Sequence, residues 1–374
     1  MRGHKLRGGV LALFLALPLS GCASEGPRLG LIDLPPGFTI DTFAGEVPGA
    51  RSLTLGEAGT VFVGSRGVGR VYALTDANGD GRAERVHVLA EGLNSPNGVA
   101  FRDGDLYVAE IHRILRFPDI EKHLASPPEP EVVTADLPGE GHHGWRYIAF
   151  GPDGGLYVAV GAPCNVCDRP DYAQIRRLDL ATGEWQVYAR GVRNSVGFDW
   201  HPRTEVLWFT DNGRDWLGDD LPPDELNRAP EPGLHFGFPF CHGAAVVDPD
   251  FGRAGACDEY VPPARRLGPH VAALGMAFYD ATRFPERFRG SVFIAEHGSW
   301  NRSEKIGYRI SRVPVVDGEA QGYETFASGW LTGGRVWGRP VDVQVMPDGA
   351  LLVSDDKAGA VYRIDVAGGP AKGD

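Results

Sequence analysis

A short signature recurs along this chain: a polar turn built from Gly, Asp and Pro, followed by a run of alternating apolar residues. Pro152-Asp153-Gly154-Gly155-Leu156-Tyr157-Val158-Ala159 shows it most fully, and residues 103–109 and 347–354 repeat it. Weaker copies lie at 56–64, 203–210 and 288–295. Second apolar runs follow at 70–74, 113–117, 174–178, 308–313 and 360–364. A tight turn between period-two runs is a β-hairpin, and such units spaced at roughly 45 to 60 residues have the period of propeller blades. The six copies predict an all-β chain folded as a six-bladed β-propeller over 35–367. Residues 38–43 (FTIDTF) alternate like a strand but belong to no complete repeat, so they are expected to pair with the last blade and close the ring. The long interval between the fourth and fifth copies reads as a loop insertion between blades four and five, spanning Leu217 to His270.

The 52 Gly and 29 Pro suit many tight turns and leave no room for long helices. A net charge of −12 argues against nucleic acid as a partner and gives no basic face for a membrane. Residues 1–21 carry Arg2, Lys5 and Arg7, then an apolar stretch, then Leu19-Ser20-Gly21 directly before Cys22. This resembles a bacterial lipoprotein signal, in which Cys22 is lipidated and the protein is exported and tethered on the periplasmic side rather than spanning the membrane. Residues 22–34 then read as a tether and 368–374 as a tail. Four cysteines remain in an oxidising compartment. Cys164 and Cys167 form a CxxC loop that reads as a small disulfide, with a redox motif or half of a zinc site as alternatives. Cys241 and Cys257 are expected to pair and pin the insertion; a metal site built from all four thiolates is the other arrangement.

In a propeller, the segments leading into and out of the inner strands gather at the mouth of the central channel. Those segments carry Arg66 in blade one, Asn97 in blade two, and His142, His143 and Arg146 in blade three. Arg193 and Asn194 follow in blade four, His297, Trp300 and Arg302 in blade five, and Arg339 in blade six. Each has an ordinary reading as a solvated surface group or a turn residue; together they make a basic spot on an acidic protein, suited to a small anionic ligand. Asp76, Asn78 and Asp80 match the first half of a calcium loop, with Glu84 as a further ligand. Position twelve is His87 instead of the bidentate Glu, so a plain hairpin turn is the alternative. Asp211, Asp215, Asp219, Asp220, Asp224 and Glu225 read as an acidic loop able to hold a hard cation.

The segments GHHGWRYIAFGPDGGLYV, GVRNSVGFDWHP, DNGRDWLGDDLPPDELN, HGSWNR and RPVDVQVMPDGALLVSDD together resemble the glucose/sorbosone dehydrogenase family, nearest its sorbosone dehydrogenase-like branch, over 34–366. These are six-bladed quinoproteins that use pyrroloquinoline quinone (PQQ) and calcium. The resemblance implies that His142 is the general base, with His143 in reserve, taking a substrate hydroxyl proton while hydride moves to the quinone. It places Arg193 against the quinone oxygens with Asn194 beside it, and calcium on the backbone carbonyls of Gly213 and Arg214. His297, Trp300, Arg302 and Arg339 then line the cofactor, with Arg66 and Asn97 at the channel mouth. The chain departs from the soluble glucose dehydrogenases at Gly141, Val196 and Val341, which replace an acidic residue, a Gln and an Arg; Glu140 is the available substitute for the first. The expected function is a lipid-anchored periplasmic dehydrogenase that oxidises a sugar or sugar-derived aldehyde and passes electrons to an unspecified acceptor. The alternatives are a gluconolactonase-type hydrolase with calcium on Asn97, Asn194 and Asp211, and a non-catalytic binding propeller of the cell envelope.

Overall fold

The computed structural model describes residues 26–368, with Met1 and Gly3; the leader, the lipidation candidate Cys22 and residues 369–374 lie outside the described residues. Six antiparallel sheets of at least four strands each succeed one another around a channel. Blade one comprises Ala50–Leu55, Val61–Ser65, Val71–Thr75 and Arg85–Ala90; blade two Gly98–Arg102, Asp105–Ala109, Ile114–Phe117 and Glu131–Thr134. Blade three comprises Ile148–Phe150, Leu156–Val160, Gln174–Leu178 and Trp185–Arg190. Blade five comprises Ala273–Tyr279, Ser291–Glu296, Arg309–Val316 and Glu324–Ala327. The second strand of every blade is buried along its whole length apart from the first residue of blade two's. That is why the sequence shows them as near-continuous apolar runs: both faces pack against neighbouring blades.

The ring closes as expected. Blade six holds Pro340–Val345, Leu351–Asp355 and Ala360–Val366, and its outer strand is Phe38–Ala44, antiparallel to the last with Phe38 opposite Val366 and Ile40 opposite Ile364. Phe38 packs edge-on against Phe284, Phe288 and Phe326 at 4.8–5.2 Å between ring centroids, so the closing strand is also gripped by blade five.

One boundary differs from expectation. Pro223–Ala229 and Arg265–Pro269, placed by the sequence in the insertion, are the third and fourth strands of blade four, after Phe198–Trp200 and Leu207–Asp211, with Asp211 opposite Glu225. The excursion is therefore 230–264, within blade four and not between blades four and five. Pro222, Pro223, Asp224 and Glu225 disguise the strand, because its acidic residues are buried at the channel end instead of facing water. The excursion folds back so that Leu234–His235 pairs in parallel with blade three's outer strand, and Cys241–Cys257 ties its hairpin to a short 3-10 turn. Cys164 and Cys167 form the other disulfide, so the four sulfurs make two bridges and not a metal site. No helix among the described residues is long and apolar enough to cross a membrane.

Candidate functional site

At the channel mouth the loops enclose a cavity of about 320 Å³. Its wall on the side of blades one, five and six is a cationic cluster around one carboxylate. Arg51, only 2% exposed on the inner strand of blade one, donates from Nη1 to Asp356 at 3.1 Å. His297 Nε2 (3.0 Å) and Arg339 Nε (2.9 Å) bond the same carboxylate. Burial pushes the Asp356 carboxyl up, but His297, Arg51 and Arg339 outweigh it and hold it well below the usual range. Burial lowers the His297 pKa, and Asp356 offsets only part of this. The Arg66 guanidinium lies over the Trp145 ring, 4.1 Å from its centroid, with no hydrogen bond to another side chain or backbone group among the described residues.

The opposite wall, from blades three and four, is held by backbone. Arg193 is 3% exposed and all its donor nitrogens are engaged. Nε donates to the Asn165 carbonyl (2.8 Å), Nη1 to the carbonyls of Gly213 (2.8 Å) and Asn212 (3.2 Å), and Nη2 to Asn165 Oδ1 (2.9 Å) and Asp215 (3.3 Å). The two oxygens of Asp211 accept the backbone N–H groups of Arg193 and Asn194 at 2.8 and 2.6 Å, bracketing the pair.

His143 stands beside this frame. Its Nδ1 is 2.8 Å from the Ala162 carbonyl. A carbonyl only accepts, so Nδ1 carries the proton and Nε2 keeps its lone pair. Burial, and then Arg193, lower the His143 pKa well below the ordinary value, which leaves the ring neutral at pH 7. Gly161 makes room: a Cβ there would stand 2.7 Å from His143 Cβ and 2.8 Å from its carbonyl oxygen. His142 is exposed, stacks edgewise on His143 at 4.1 Å, and does not line the cavity.

Of the residues singled out in the sequence, Arg66, Arg193, Asn194, Gly213, His297, Trp300 and Arg339 line one cavity. Asn97 does not: it is fully buried, accepting from Arg51 Nε and donating to Ser52 and the Arg146 carbonyl, and so braces Arg51 from behind. Arg302 turns away to the Asp219 carbonyl and Asp220. Arg214, expected to act through its backbone carbonyl, does not line the cavity, and its guanidinium is held by Asp248 and Asp250. The gluconolactonase-type ligand set does not converge, because Asn97 is spent on Arg51 and both Asp211 oxygens take amide hydrogens.

Arg51, Asp356 and Trp145 were not anticipated, whereas Asp215 and Asp224 of the acidic loop do reach the cavity. Asp356 had a usable signal: it follows directly on its blade's second strand, as Arg66 and His297 follow theirs. Val196 and Val341, two departures from the glucose dehydrogenases, pack together with Leu274 and against Trp145, and from this apolar cluster Leu274 and Trp145 reach the cavity.

For a hard cation, the cavity wall offers the Gly213 carbonyl, Asp215 and Asp224. Asp224 accepts the Gly213 N–H at 2.9 Å, and burial pushes it up to about 7. These are the hard oxygens calcium takes, and each already has a partner: Arg193 on the Gly213 carbonyl and on Asp215, Asn301 on Asp215, and the Gly213 and Ala273 N–H groups on Asp224, so an ion there has to share or displace them. In the outer loop, Asp76, Asp80 and Glu84 bring ligand atoms within 4.8 Å of one another. Asp76 there also accepts the N–H groups of Gly79, Asp80 and Gly81, as an ordinary turn does, and Asn78 accepts that of Asp80.

A model of the family described as a domain of unknown function, DUF7133, matches residues 28–362. A protein of Borreliella burgdorferi described as uncharacterized is 33% identical over 371 residues, covering 95% of this chain and 96% of that one. Among solved structures, the holo PQQ domain of pyranose dehydrogenase from Coprinopsis cinerea aligns with a TM-score of 0.77 at 19% identity, covering 91% and 98% of the two chains. The calcium structure of a Trichoderma reesei carbohydrate-active enzyme of family AA12 gives 0.77 at 19%, covering 92% and 100%. The PQQ-bound aldose sugar dehydrogenase of Streptomyces coelicolor gives 0.65 at 22%, covering 90% and 100%. At these identities the likeness is one of fold, and it is the fold expected from the sequence.

Proposed function

This chain belongs to the DUF7133 family, and we propose that it is a PQQ-dependent dehydrogenase oxidising a sugar or sugar-derived aldehyde. The observation that carries the reading is the cavity itself. On a protein of net charge −12, four arginines and a neutral histidine with a free Nε2 face one space that the apolar Trp145 and Leu274 also line. A flat tricarboxylate suits that combination. Arg66, Arg339 and Arg51 would hold its carboxylates, Trp145 and Leu274 would take its ring face, and Arg193 and Asn194 would meet its quinone edge. Calcium would sit on the Gly213 carbonyl, Asp215 and Asp224. When bound, the quinone supplies the two-electron acceptor.

The protein's own part is to orient a carbinol and remove its proton. His143 Nε2 takes that proton, with the Ala162 carbonyl fixing the tautomer and stabilising the charged ring. This transfers the role first given to His142 onto its neighbour. Arg193 provides fixed positive charge where negative charge develops. We further propose lipid anchoring at Cys22 on the periplasmic side, supported by the leader sequence, with electrons leaving to an acceptor outside the chain.

The test is a titration of protein starting at Ser24 with PQQ and calcium, followed by dye reduction with a panel of aldoses. Saturable binding, with turnover lost in His143→Ala, is the expected result. No binding at micromolar PQQ overturns the assignment. Binding without turnover favours the envelope binding propeller.

A further inference from the structure

Two indoles stand in solvent at the rim of the cavity. Trp216 and Trp300 are each 68% exposed, more than any other large apolar side chain between residues 26 and 368. Their rings meet at right angles with centroids 5.3 Å apart. Trp300 lines the cavity; Trp216 lies beyond it, on the loop that carries Asp215. Exposure on this scale forgoes the stabilisation that burying either ring would bring, so whatever holds the rings out is built into the loops.

The two loops are cross-braced. Asn301 Nδ2 donates to Asp215 Oδ1 at 2.7 Å, and the Ser303 N–H donates to Asp219 Oδ1 at 3.1 Å. Arg302 donates to the Asp219 carbonyl. His270 Nε2 lies 2.9 Å from the carbonyls of both Gly218 and Leu221, gripping the Trp216 loop from below. Trp216 itself has φ +71°, a left-handed backbone that a bulky residue adopts only under constraint. With Trp216 in a strained backbone and both loops braced, the exposed pair is held in place beside the cavity and is not a fraying loop end.

We infer that Trp216 and Trp300 form a platform for a second sugar ring, so that the favoured substrates are disaccharides or the ends of longer saccharides. This rests on the dehydrogenase reading above. The oxidised unit reaches His143 inside the cavity, and the adjoining unit lies across the indoles at the rim. A pyranose presents an axial C–H face that packs on an aromatic ring while its hydroxyls stay wet, and the perpendicular rings offer one face and one edge. Binding energy from the remote ring raises kcat/KM for the larger substrate.

The experiment compares glucose and galactose with cellobiose, maltose and lactose, both as substrates of the PQQ- and calcium-loaded protein and as ligands of the cofactor-free protein, read by tryptophan fluorescence. In the unsubstituted protein, at least one disaccharide is expected to exceed its monosaccharide about tenfold in kcat/KM and to bind more tightly. That preference should collapse in Trp216→Ala and be largely retained in Trp216→Phe. A preference absent from the unsubstituted protein, or surviving in a folded Trp216→Ala, overturns the platform while leaving the dehydrogenase reading intact. If no sugar reduces dye, the dehydrogenase reading falls, and the fluorescence arm decides the platform alone: disaccharide binding lost in Trp216→Ala sustains a saccharide surface, and no binding overturns it.

Discussion

The two walls of the channel mouth use the same residue type in opposite ways. Arg193 is fastened to backbone carbonyls from two blades, Asn165 after blade three's second strand and Gly213 after blade four's, whereas Arg51, His297 and Arg339 share a single carboxylate, Asp356, on a side chain. A guanidinium fixed by backbone is a preset electrostatic element. Cations gathered on one side chain can exchange it for the carboxylates of a ligand. One wall is ready for charge that develops during reaction, the other for charge that arrives with a cofactor.

The contrast fails at its strongest point if Arg193→Ala is mild. Removal leaves the Gly213 and Asn165 acceptors buried and Asp215 short of a partner, so we expect about 3–5 kcal/mol of lost stability in urea unfolding. His143→Ala is expected to fold normally and lose roughly 10²–10⁴ in kcat, with His142→Ala losing far less. Because burial and Arg193 lower the His143 pKa, the base is free of its proton above that value. Activity should therefore hold down to below pH 6.5 before its acid limb falls.

On the other wall, Asp356 has a folded pKa depressed below its unfolded value. Its contribution to stability is present above pH 4 and is lost as pH falls through the folded pKa. Asp356→Asn should flatten acid unfolding in that window and leave the Arg51 and Arg339 guanidinium groups without their shared anion, which tightens PQQ binding; weaker binding would mean that these cations are structural. The smallest effect is expected far from both walls. Asp76→Ala should change stability by no more than about 1 kcal/mol without calcium, and a calcium-dependent rise in Tm that this variant abolishes would identify the outer loop as a cation site.

The propeller was legible because each blade's second strand is buried on both faces, which writes an apolar run after a Gly-Asp turn into every repeat. What the sequence hid follows from the same geometry. Arg51 sits in Ala50–Leu55, where a charged residue in an alternating strand reads as solvent-facing; only the channel gives it an interior to point into. Pro223–Ala229 looked like loop because Asp224 and Glu225, neighbours on opposite faces of the strand, are both buried. Neighbouring histidines cannot be ranked by spacing, since the choice turns on His143 adopting φ +48° and dropping its ring towards Ala162. The disulfides needed no such detail, the two pairs being separated by 3 and 16 residues.

The joint between Phe38–Ala44 and Ala360–Val366 has a consequence in time. The first strand made is completed by the last. At about 5–20 residues per second, it waits on the order of half a minute for its partner. Throughout that interval Phe38 has none of the three rings that later enclose it, and the ring stands open beside blade one. A chain shortened to Phe38 keeps the joint, whereas one begun after Ala44 leaves an exposed edge on blade six, ready to pair with another molecule.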